Sequence, residues 1–382
     1  MASAQDKPGT DQRGPVTDQG GLVTDQGGKV RSGEELPIEA VDRWLRTQLP
    51  DLAPGLPEVT QYSGGASNWT YRLKYANHDL ILRRPPAGTK AKSAHDMGRE
   101  FRVQSSLKPV YPQVPTMVGL CRDESVIGTE FYVMHRIDGI IPRRNFPKGV
   151  SLTPEQARQL CFNFFDKMIE LHQVDVKAAG LESLGKGGGY AKRQIAGWND
   201  RYEKAKTWNV LSFRDVRDWL AANAPEDVAT CVVHNDWRMD NVVMSATDPT
   251  KIIGVLDWEM ATLGDPLMDF GNTMAYWIKE EDPYFFRMLR RQPSHIAGMP
   301  SREEVIEYYL RKMNLKTDNW TFYEVYGLFR LGVILQQIYY RYHHKQTRNP
   351  AFKRFWIMVN YLGLRSRALI RAHERNKKKG GG

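Results

Sequence analysis

The chain has 382 residues, of which 41% are hydrophobic and 26% charged, an ordinary composition for a protein with a sizeable buried core. This composition excludes a mostly disordered chain, a collagen and a coiled-coil rod, and no apolar run reaches the ~18–20 residues that a membrane-spanning helix needs. The net charge is +10, and residues 281–382 hold 20 basic against 8 acidic side chains. Such a basic surface attracts nucleic acid, acidic lipid or phosphorylated small molecules, although a solvated helical face explains it equally well.

Residues 1–33 predict a disordered, low-complexity arm. They are polar and rich in glycine, and Thr-Asp-Gln recurs at Thr10, Thr17 and Thr24. The glycines and the missing apolar stripe exclude a coiled coil. The arm lacks the apolar segment of a secretory signal, and its aspartates argue against a mitochondrial transit peptide. Because the three cysteines are also few and far apart, we expect a reducing, cytoplasmic location.

Short apolar runs dominate the next hundred residues, and helical periodicity dominates the remainder. In chain order the pattern predicts a helix at 37–49, strands at 58–62, 69–75 and 79–84, a helix at 93–107, and strands at 117–121 and 131–137. Strands return only at 231–233, 242–244 and 252–256, and the whole chain after residue 267 is predicted to be helical. The sequence thus predicts an α+β fold with a β-rich lobe at 34–138, a helical lobe at 139–376 and a basic tail at 377–382.

Polar side chains cluster after two of these strands. Asp236 and Asn241 follow the strand at 231–233, and Asp257 ends the strand at 252–256. Mg²⁺ prefers oxygen ligands and usually takes one or two carboxylates together with substrate phosphates and water. Asn241 and Asp257 offer an amide oxygen and a carboxylate of this kind. Asp236 is then available to accept the proton of a hydroxyl group.

The pattern His234-x-Asp236-x-x-x-x-Asn241, followed by the tripeptide at 257–259, resembles the catalytic and metal loops of the aminoglycoside phosphotransferase and choline kinase family, relatives of the protein kinases. The resemblance implies a protein kinase-like bilobal fold with a small β-rich lobe and a larger helical lobe. It also implies a kinase that uses ATP and Mg²⁺ to phosphorylate a hydroxyl acceptor. The segment 264–269 resembles the start of a helix that anchors the metal loop in this family.

Several roles follow from this resemblance. It implies that Asp236 is the catalytic base and that Arg238 lies near the transferred phosphate. Asn241 and Asp257 correspond to the Mg²⁺ ligands. His234 corresponds to a residue that braces the loop rather than taking part in the chemistry.

The same resemblance places the nucleotide in the first lobe. The glycine-rich segment 63–68, with Ser67 and Asn68, corresponds to a phosphate-binding loop, although a plain hairpin turn would have the same composition. Arg83 stands where many relatives carry lysine, and its ion-pair partner would be Glu100 on the following helix. An exposed helix carboxylate is the plainer interpretation of Glu100.

The strand at 131–137 resembles the connection between the lobes. By that likeness, the backbone of His135 and Ile137 would pair with adenine. Met134 would lie at the back of the pocket, although an ordinary core position explains this residue equally well.

Four segments suggest a subgroup, and they lie at 65–71, 82–86, 236–241 and 255–259. They resemble the phosphotransferase domains fused to, or encoded beside, acyl-CoA dehydrogenases. The resemblance implies a hydroxyacyl-CoA acceptor of the 4-hydroxyacyl-CoA type in hydroxy- and fatty-acid catabolism. It also implies an acyl-CoA dehydrogenase-type enzyme as a partner. The basic second lobe suits a CoA polyanion better than a cationic acceptor.

Two other functions remain open from the sequence. A kinase for an aminoglycoside or a choline-like amino alcohol shares the fold, but the basic second lobe lacks the acidic cluster expected for a cationic acceptor. A non-catalytic nucleotide- or anion-binding protein belongs to another class, and the presence of Asp236, Asn241 and Asp257 counts against it. A specific nucleic-acid partner is not expected, because no recognised motif for one is present.

Overall fold

The computed structural model describes residues 27–62, 68–86 and 96–380. Its first part is an antiparallel five-stranded sheet with the order β1-β2-β3-β5-β4. The strands are β1 (Glu58–Gln61), β2 (Trp69–Lys74), β3 (Asp79–Arg84), β4 (Met117–Cys121) and β5 (Phe131–His135). The predicted strands are therefore confirmed, each to within two residues at either end.

Two helices cover opposite faces of this sheet. Helix α1 (Ile38–Gln48) shares a buried cluster with Leu80 and Leu82 of β3. Helix α2 (Met97–Leu107) packs beside Ile81 on the other face. Because successive side chains of a strand alternate between faces, Arg83 shares the face of Ile81 and points toward α2.

The second part is mainly helical, with two small antiparallel sheets at its centre. The helices are α3 (Pro154–His172), α4 (Tyr190–Ala205), α5 (Arg214–Ala222), α6 (Pro266–Met274), α7 (Tyr284–Arg287), α8 (Arg302–Lys312), α9 (Trp320–His343) and α10 (Phe355–Gly380). One sheet pairs β6 (Cys231–Val233) with β9 (Thr262–Gly264), and the other pairs β7 (Val242–Met244) with β8 (Ile252–Val255). Helix α9 packs against α4, α6 and α10 and forms the core of this part.

Three expectations about the second part were wrong. Strand β9 was not predicted, because three residues carry too little periodicity to reveal a strand. The chain from 275 to 301 is largely irregular apart from the short α7, since Pro283, Pro293 and Pro300 lack the N–H that a helix interior needs. The basic tail expected from residue 377 instead continues α10 as far as Gly380.

No helix in the described ranges is long and apolar enough to cross a lipid bilayer. Residues 1–26 of the predicted arm at 1–33 and the segments 63–67 and 87–95 lie outside the residues that the structure describes. Ser67, expected to approach the nucleotide phosphates, therefore also lies outside them. The arm's predicted disorder and the predicted phosphate-binding turn remain predictions.

Candidate active site

Asp236 lies in the loop between β6 and a short 3-10 turn at Met239–Asn241. The Asn241 Nδ2 amide donates hydrogen bonds to both the backbone oxygen and the Oδ2 of Asp236, each at 2.9 Å. Arg238 Nη2 lies 3.3 Å from the same Oδ2, and the Asp236 side chain keeps 22% of its surface exposed. The carboxylate is thus held in one orientation while it remains accessible to a second molecule.

Arg238 occupies a crowded position beside this carboxylate. Its Nε lies 3.2 Å from Asp240 Oδ1, and its guanidinium lies 5.1 Å from the ring centre of Tyr276. Burial by itself would lower the pKa of Arg238, but the charges of Asp236 and Asp240 raise it above its usual value. Burial raises the pKa of Asp240, and the charge of Arg238 partly offsets this effect. Arg238 therefore stays cationic next to the Asp236 carboxylate.

The buried carboxylate of Asp269 on α6 fixes the beginning of the loop. It accepts backbone N–H bonds from His234 and Asn235 at 2.8 Å each, and His172 Nε2 lies 3.2 Å away. Burial alone would raise the pKa of Asp269, but the hydrogen bonds from His172 and from the His234 backbone lower the pKa overall. Asn235 adopts a positive φ of 64°, an uncommon conformation that these bonds hold in place. The predicted anchoring segment at 264–269 thus contacts the catalytic loop directly.

His234 joins the base loop to the metal loop. Its Nδ1 lies 3.2 Å from the Asp236 backbone N–H and must accept that hydrogen bond. Its Nε2 therefore carries the proton and donates to the Leu256 carbonyl at 3.0 Å. Because Leu256 immediately precedes Asp257, one imidazole sets the spacing between the two loops.

Asp257 lies beside Arg83 of the first lobe. Arg83 Nη2 donates to Asp257 Oδ1 at 3.1 Å, and Arg83 also lies 3.5 Å from a Glu100 oxygen and 3.9 Å from a Glu259 oxygen. Burial by itself would lower the pKa of Arg83, but Tyr132 and the three carboxylates raise it well above its usual value. The Arg83–Glu100 pair expected from the sequence is thus close enough for an ion pair. Glu259 enlarges the carboxylate cluster in a way that the sequence did not predict.

The Asn68 side chain contacts two carboxylates, and its expected role at the nucleotide stays a prediction. Its Nδ2 donates to Glu100 Oε1 at 3.1 Å and to Glu259 Oε2 at 3.3 Å. The amide thus bridges a helix of the first part and the metal loop of the second. Arg99 of α2 strengthens the same junction by donating to the backbone oxygens of Glu259, at 3.2 Å, and Ala261.

An open cleft separates the two parts of the molecule. Its lining residues include Ile81, Arg83, His135, Ile137, Asn241 and Asp257. The cleft therefore brings together residues from both lobes, as the sequence predicted. The cleft is lined by both apolar and charged side chains, as small-molecule sites usually are.

Two details of the structure describe the surroundings of the predicted adenine contact. The backbone N–H of His135 already donates to the Thr116 carbonyl at 2.8 Å, so that group is not available to a base. Met134 packs with Ile81 and Tyr132 in a buried cluster and is not among the cleft's lining residues. His135 and Ile137 both line the cleft, and the His135 carbonyl and the Ile137 backbone remain the predicted adenine contacts.

The donor set at the cleft fits a magnesium ion chemically. With its Nδ2 held by Asp236, the Asn241 amide directs its oxygen away from that residue. The Asp257 carboxylate is one-third exposed and has Arg83 on one oxygen. An amide oxygen and a carboxylate oxygen are hard ligands of the kind that Mg²⁺ takes, with phosphates and water supplying the rest.

Some supporting residues had no interpretable signal in the sequence. Arg330 of α9 donates to the Asn235 carbonyl at 2.6 Å, and Tyr132 donates to Glu100 Oε2 at 2.8 Å. Each partner lies tens of residues away in the chain, so no local spacing could reveal the contact. Asp269 could have been found, because it lies in a segment already identified beside the motif.

Comparison with known proteins agrees with this geometry. Residues 58–305 match the phosphotransferase enzyme family. Mouse acyl-CoA dehydrogenase family member 10 is 35% identical over 314 residues, which cover 82% of this chain but only 29% of that protein. The chain therefore spans less than a third of the length of this curated relative.

Solved structures show the same fold. A Ralstonia eutropha protein assigned to the aminoglycoside phosphotransferases superposes with a TM-score of 0.73 at 29% identity, covering 87% of this chain and 99% of that one. Choline kinase from Cryptosporidium parvum superposes with a TM-score of 0.59 at 14% identity, covering 89% and 97%. The chain belongs to the phosphotransferase enzyme family, has the kinase-like bilobal fold and is a phosphotransferase with a hydroxyl acceptor.

Proposed function

We propose that the chain transfers the γ-phosphate of Mg²⁺-bound ATP to the hydroxyl group of a hydroxyacyl-CoA. The observation that supports this most directly is the Asp236 carboxylate, oriented by Asn241 and partly exposed beside a cleft that also contains Arg83 and Asp257. A fixed base and a separate pair of metal-binding oxygens are the parts that phosphoryl transfer to an alcohol requires.

In the proposed reaction the acceptor oxygen forms a bond to the γ-phosphorus while the bond to the β,γ-bridging oxygen breaks. ADP leaves with that electron pair, and Asp236 takes the hydroxyl proton. Asn241 and Asp257 would hold the metal, which neutralises phosphate charge when bound. Arg83 would hold the nucleotide phosphates from the first lobe, and Arg238 would stabilise charge on the transferred group.

The Arg83 cluster suits this nucleotide role. The Arg83 Nε is buried and has no hydrogen-bond partner among the residues that the structure describes. The Arg83 side chain nevertheless lines the cleft. Three carboxylates compensate the charge of Arg83 when no nucleotide is present. A phosphate group would satisfy the donor that these carboxylates leave unpaired.

The two lobes have different proposed roles. We propose that residues 34–138 bind the nucleotide and that residues 139–376 supply the base and bind the acceptor. The CoA thioester is favoured because the relative that covers 82% of this chain is an acyl-CoA dehydrogenase family member and because residues 281–382 are strongly basic. An acyl-CoA dehydrogenase-type enzyme is the corresponding proposed partner.

ADP release from Mg²⁺-ATP tests the proposal. The acceptors are 4-hydroxydecanoyl-CoA, the free 4-hydroxy acid, choline and kanamycin, and Asp236→Asn is the blank. We expect turnover with the CoA ester, a kcat about 10²–10⁴-fold lower in Asp236→Asn, and little change in the affinity of that variant for Mg²⁺-AMP-PNP. The exposed Asp318→Asn is the matched control.

Two results would contradict different parts of the proposal. Turnover with choline or kanamycin alone would contradict the CoA ester and leave the phosphotransferase intact. Near-normal turnover by Asp236→Asn would show that another group takes the proton.

A further inference from the structure

A second cavity, open to solvent, lies in the helical part of the molecule. Its walls come from α9, from the 3-10 turn at Pro350–Arg354, from the beginning of α10 and from the chain at 288–291. Apolar side chains form much of the wall, and they include Met288, Leu289, Leu331, Leu335, Phe355 and Met358. None of these residues belongs to the nucleotide cleft.

Charged residues occupy only part of the cavity wall, and all of them are cations. Arg291, Lys353 and Arg354 line the cavity and are solvent-exposed, whereas no Asp or Glu is among its lining residues. A site with apolar walls and three cations complements a ligand that has an apolar chain and several negative charges. It disfavours a polycationic acceptor such as an amino sugar, which would meet like charges.

The cavity adjoins the catalytic loop. Tyr276 lines it, and the guanidinium of Arg238 lies 5.1 Å from the ring centre of the same tyrosine. The chain that carries Arg291 continues to Gln292, whose Oε1 accepts the Met239 backbone N–H at 2.9 Å. A ligand in the cavity would therefore lie on the Arg238 side of the catalytic loop.

Exposed apolar side chains precede the cavity residue Met288 in the chain. Tyr284 and Phe285 of α7 are 65% and 45% exposed, and Met288, which lines the cavity, is 42% exposed. Grouped exposed apolar side chains on a soluble surface often mark a ligand or partner site. Their closeness in sequence to Met288 favours an apolar chain that enters along α7.

From these four observations we infer that this cavity is the acceptor subsite for an acyl-CoA thioester. The apolar walls would hold the acyl chain, and Arg291, Lys353 and Arg354 would pair with the phosphates. The inference rests on the proposed function, because it supplies the acceptor for the base at Asp236. It assigns a location and a set of specificity-determining residues to that acceptor.

Binding of decanoyl-CoA tests the subsite, because this thioester lacks a hydroxyl group and cannot be phosphorylated. The cavity variant is Arg291→Glu/Lys353→Glu/Arg354→Glu, and its binding is measured by calorimetry. The control variant, Arg375→Glu/Lys378→Glu/Lys379→Glu, makes the same charge change on the exposed end of α10. We expect the cavity variant to weaken binding about tenfold at low ionic strength and the α10 variant to retain near-normal affinity. Both variants should bind Mg²⁺-AMP-PNP normally.

A second variant tests the apolar wall without disturbing the core. Met288→Asp replaces a half-exposed side chain, so the variant should fold and melt like the wild type. It should reduce the preference for decanoyl-CoA over free CoA by about fivefold. Free decanoic acid is expected to bind much more weakly than the thioester. Equally tight binding of the acid would overturn the assignment to a CoA ester.

The outcomes separate the subsite from the proposed function. If both charge variants lose affinity for decanoyl-CoA equally, or if neither loses it, the cavity does not bind the thioester. This conclusion would hold even if the wild type phosphorylates 4-hydroxydecanoyl-CoA. If only the cavity variant loses affinity but no hydroxyacyl-CoA releases ADP, the subsite is supported and the proposed reaction is wrong.

Discussion

Substitution of Asp269 by asparagine tests how the catalytic loop is held. The wild-type carboxylate accepts the backbone N–H groups of His234 and Asn235 and faces His172 Nε2, all within 3.2 Å. Both the His234 and His172 contacts use the same oxygen, Oδ2. In Asp269→Asn an amide oxygen can replace only one of the two carboxylate oxygens, so an NH₂ group must face at least one former donor.

The size of this effect follows from burial. Asp269 is fully buried, and a hydrogen bond to a charged group is worth about 1.5–3 kcal/mol. Loss of one such bond, together with an unpaired buried donor, predicts a decrease of about 3 kcal/mol in the free energy of unfolding. At roughly 2 °C per kcal/mol for a large domain, Tm should fall by about 6 °C.

Thermal denaturation and kinetics should be measured on the same preparation. The kcat of Asp269→Asn should fall, because the loop that carries Asp236 loses its anchor, whereas affinity for Mg²⁺-AMP-PNP should change little. The lowered pKa of Asp269 means that its stabilising contribution is present above its unfolded pKa and is lost as pH falls through the folded value. The free energy of unfolding of Asp269→Asn should therefore not show this decrease at low pH. A variant with wild-type Tm and kcat would refute the anchoring role.

Two further substitutions test neighbouring groups. Asp257→Ala should weaken Mg²⁺-AMP-PNP binding about tenfold or more by calorimetry, and unchanged affinity would contradict its proposed metal role. Asp265 caps α6, and burial raises its pKa to about 6. Because the folded state then holds the proton more tightly than the unfolded state, the contribution of Asp265 to stability falls as pH rises from about 4 to 6. Asp265→Asn retains a side chain that can cap the helix. Between about pH 4 and 6, the free energy of unfolding in urea should fall by about 3 kcal/mol less in this variant than in the wild type. An unchanged slope would show that another group is responsible.

The sequence predicted the parts of the site that are local in the chain. Asp236 and Asn241 are five residues apart, and their hydrogen bonds follow from one loop and one 3-10 turn. Strand alternation likewise places Arg83 on the face of the sheet that α2 covers. Such features follow from periodicity and spacing, which a single sequence contains.

Contacts between distant segments could not be predicted in the same way. Asn68 and Glu259 are 191 positions apart, so no local spacing could reveal the hydrogen bond between their side chains. The Arg330 contact with the catalytic loop spans 95 positions. Proline-rich chain between α6 and α8 also replaced the expected helix, because local breakers outweighed the surrounding helical pattern. These outcomes depend on packing between elements, which propensity does not determine.

The arrangement of these contacts separates catalysis from acceptor choice. His234 hydrogen-bonds both the Asp236 N–H and the Leu256 carbonyl, so the base and metal loops form one connected unit. Asp269 connects the same unit to α6 by accepting two of its backbone N–H groups. These bonds involve backbone and buried groups, and none requires an acceptor to be present. Because the reacting groups are already positioned, discrimination between hydroxyl compounds must come from surfaces beyond the loop. The cation-lined cavity beside Tyr276 is such a surface, and changes there should alter KM for the acceptor more than kcat.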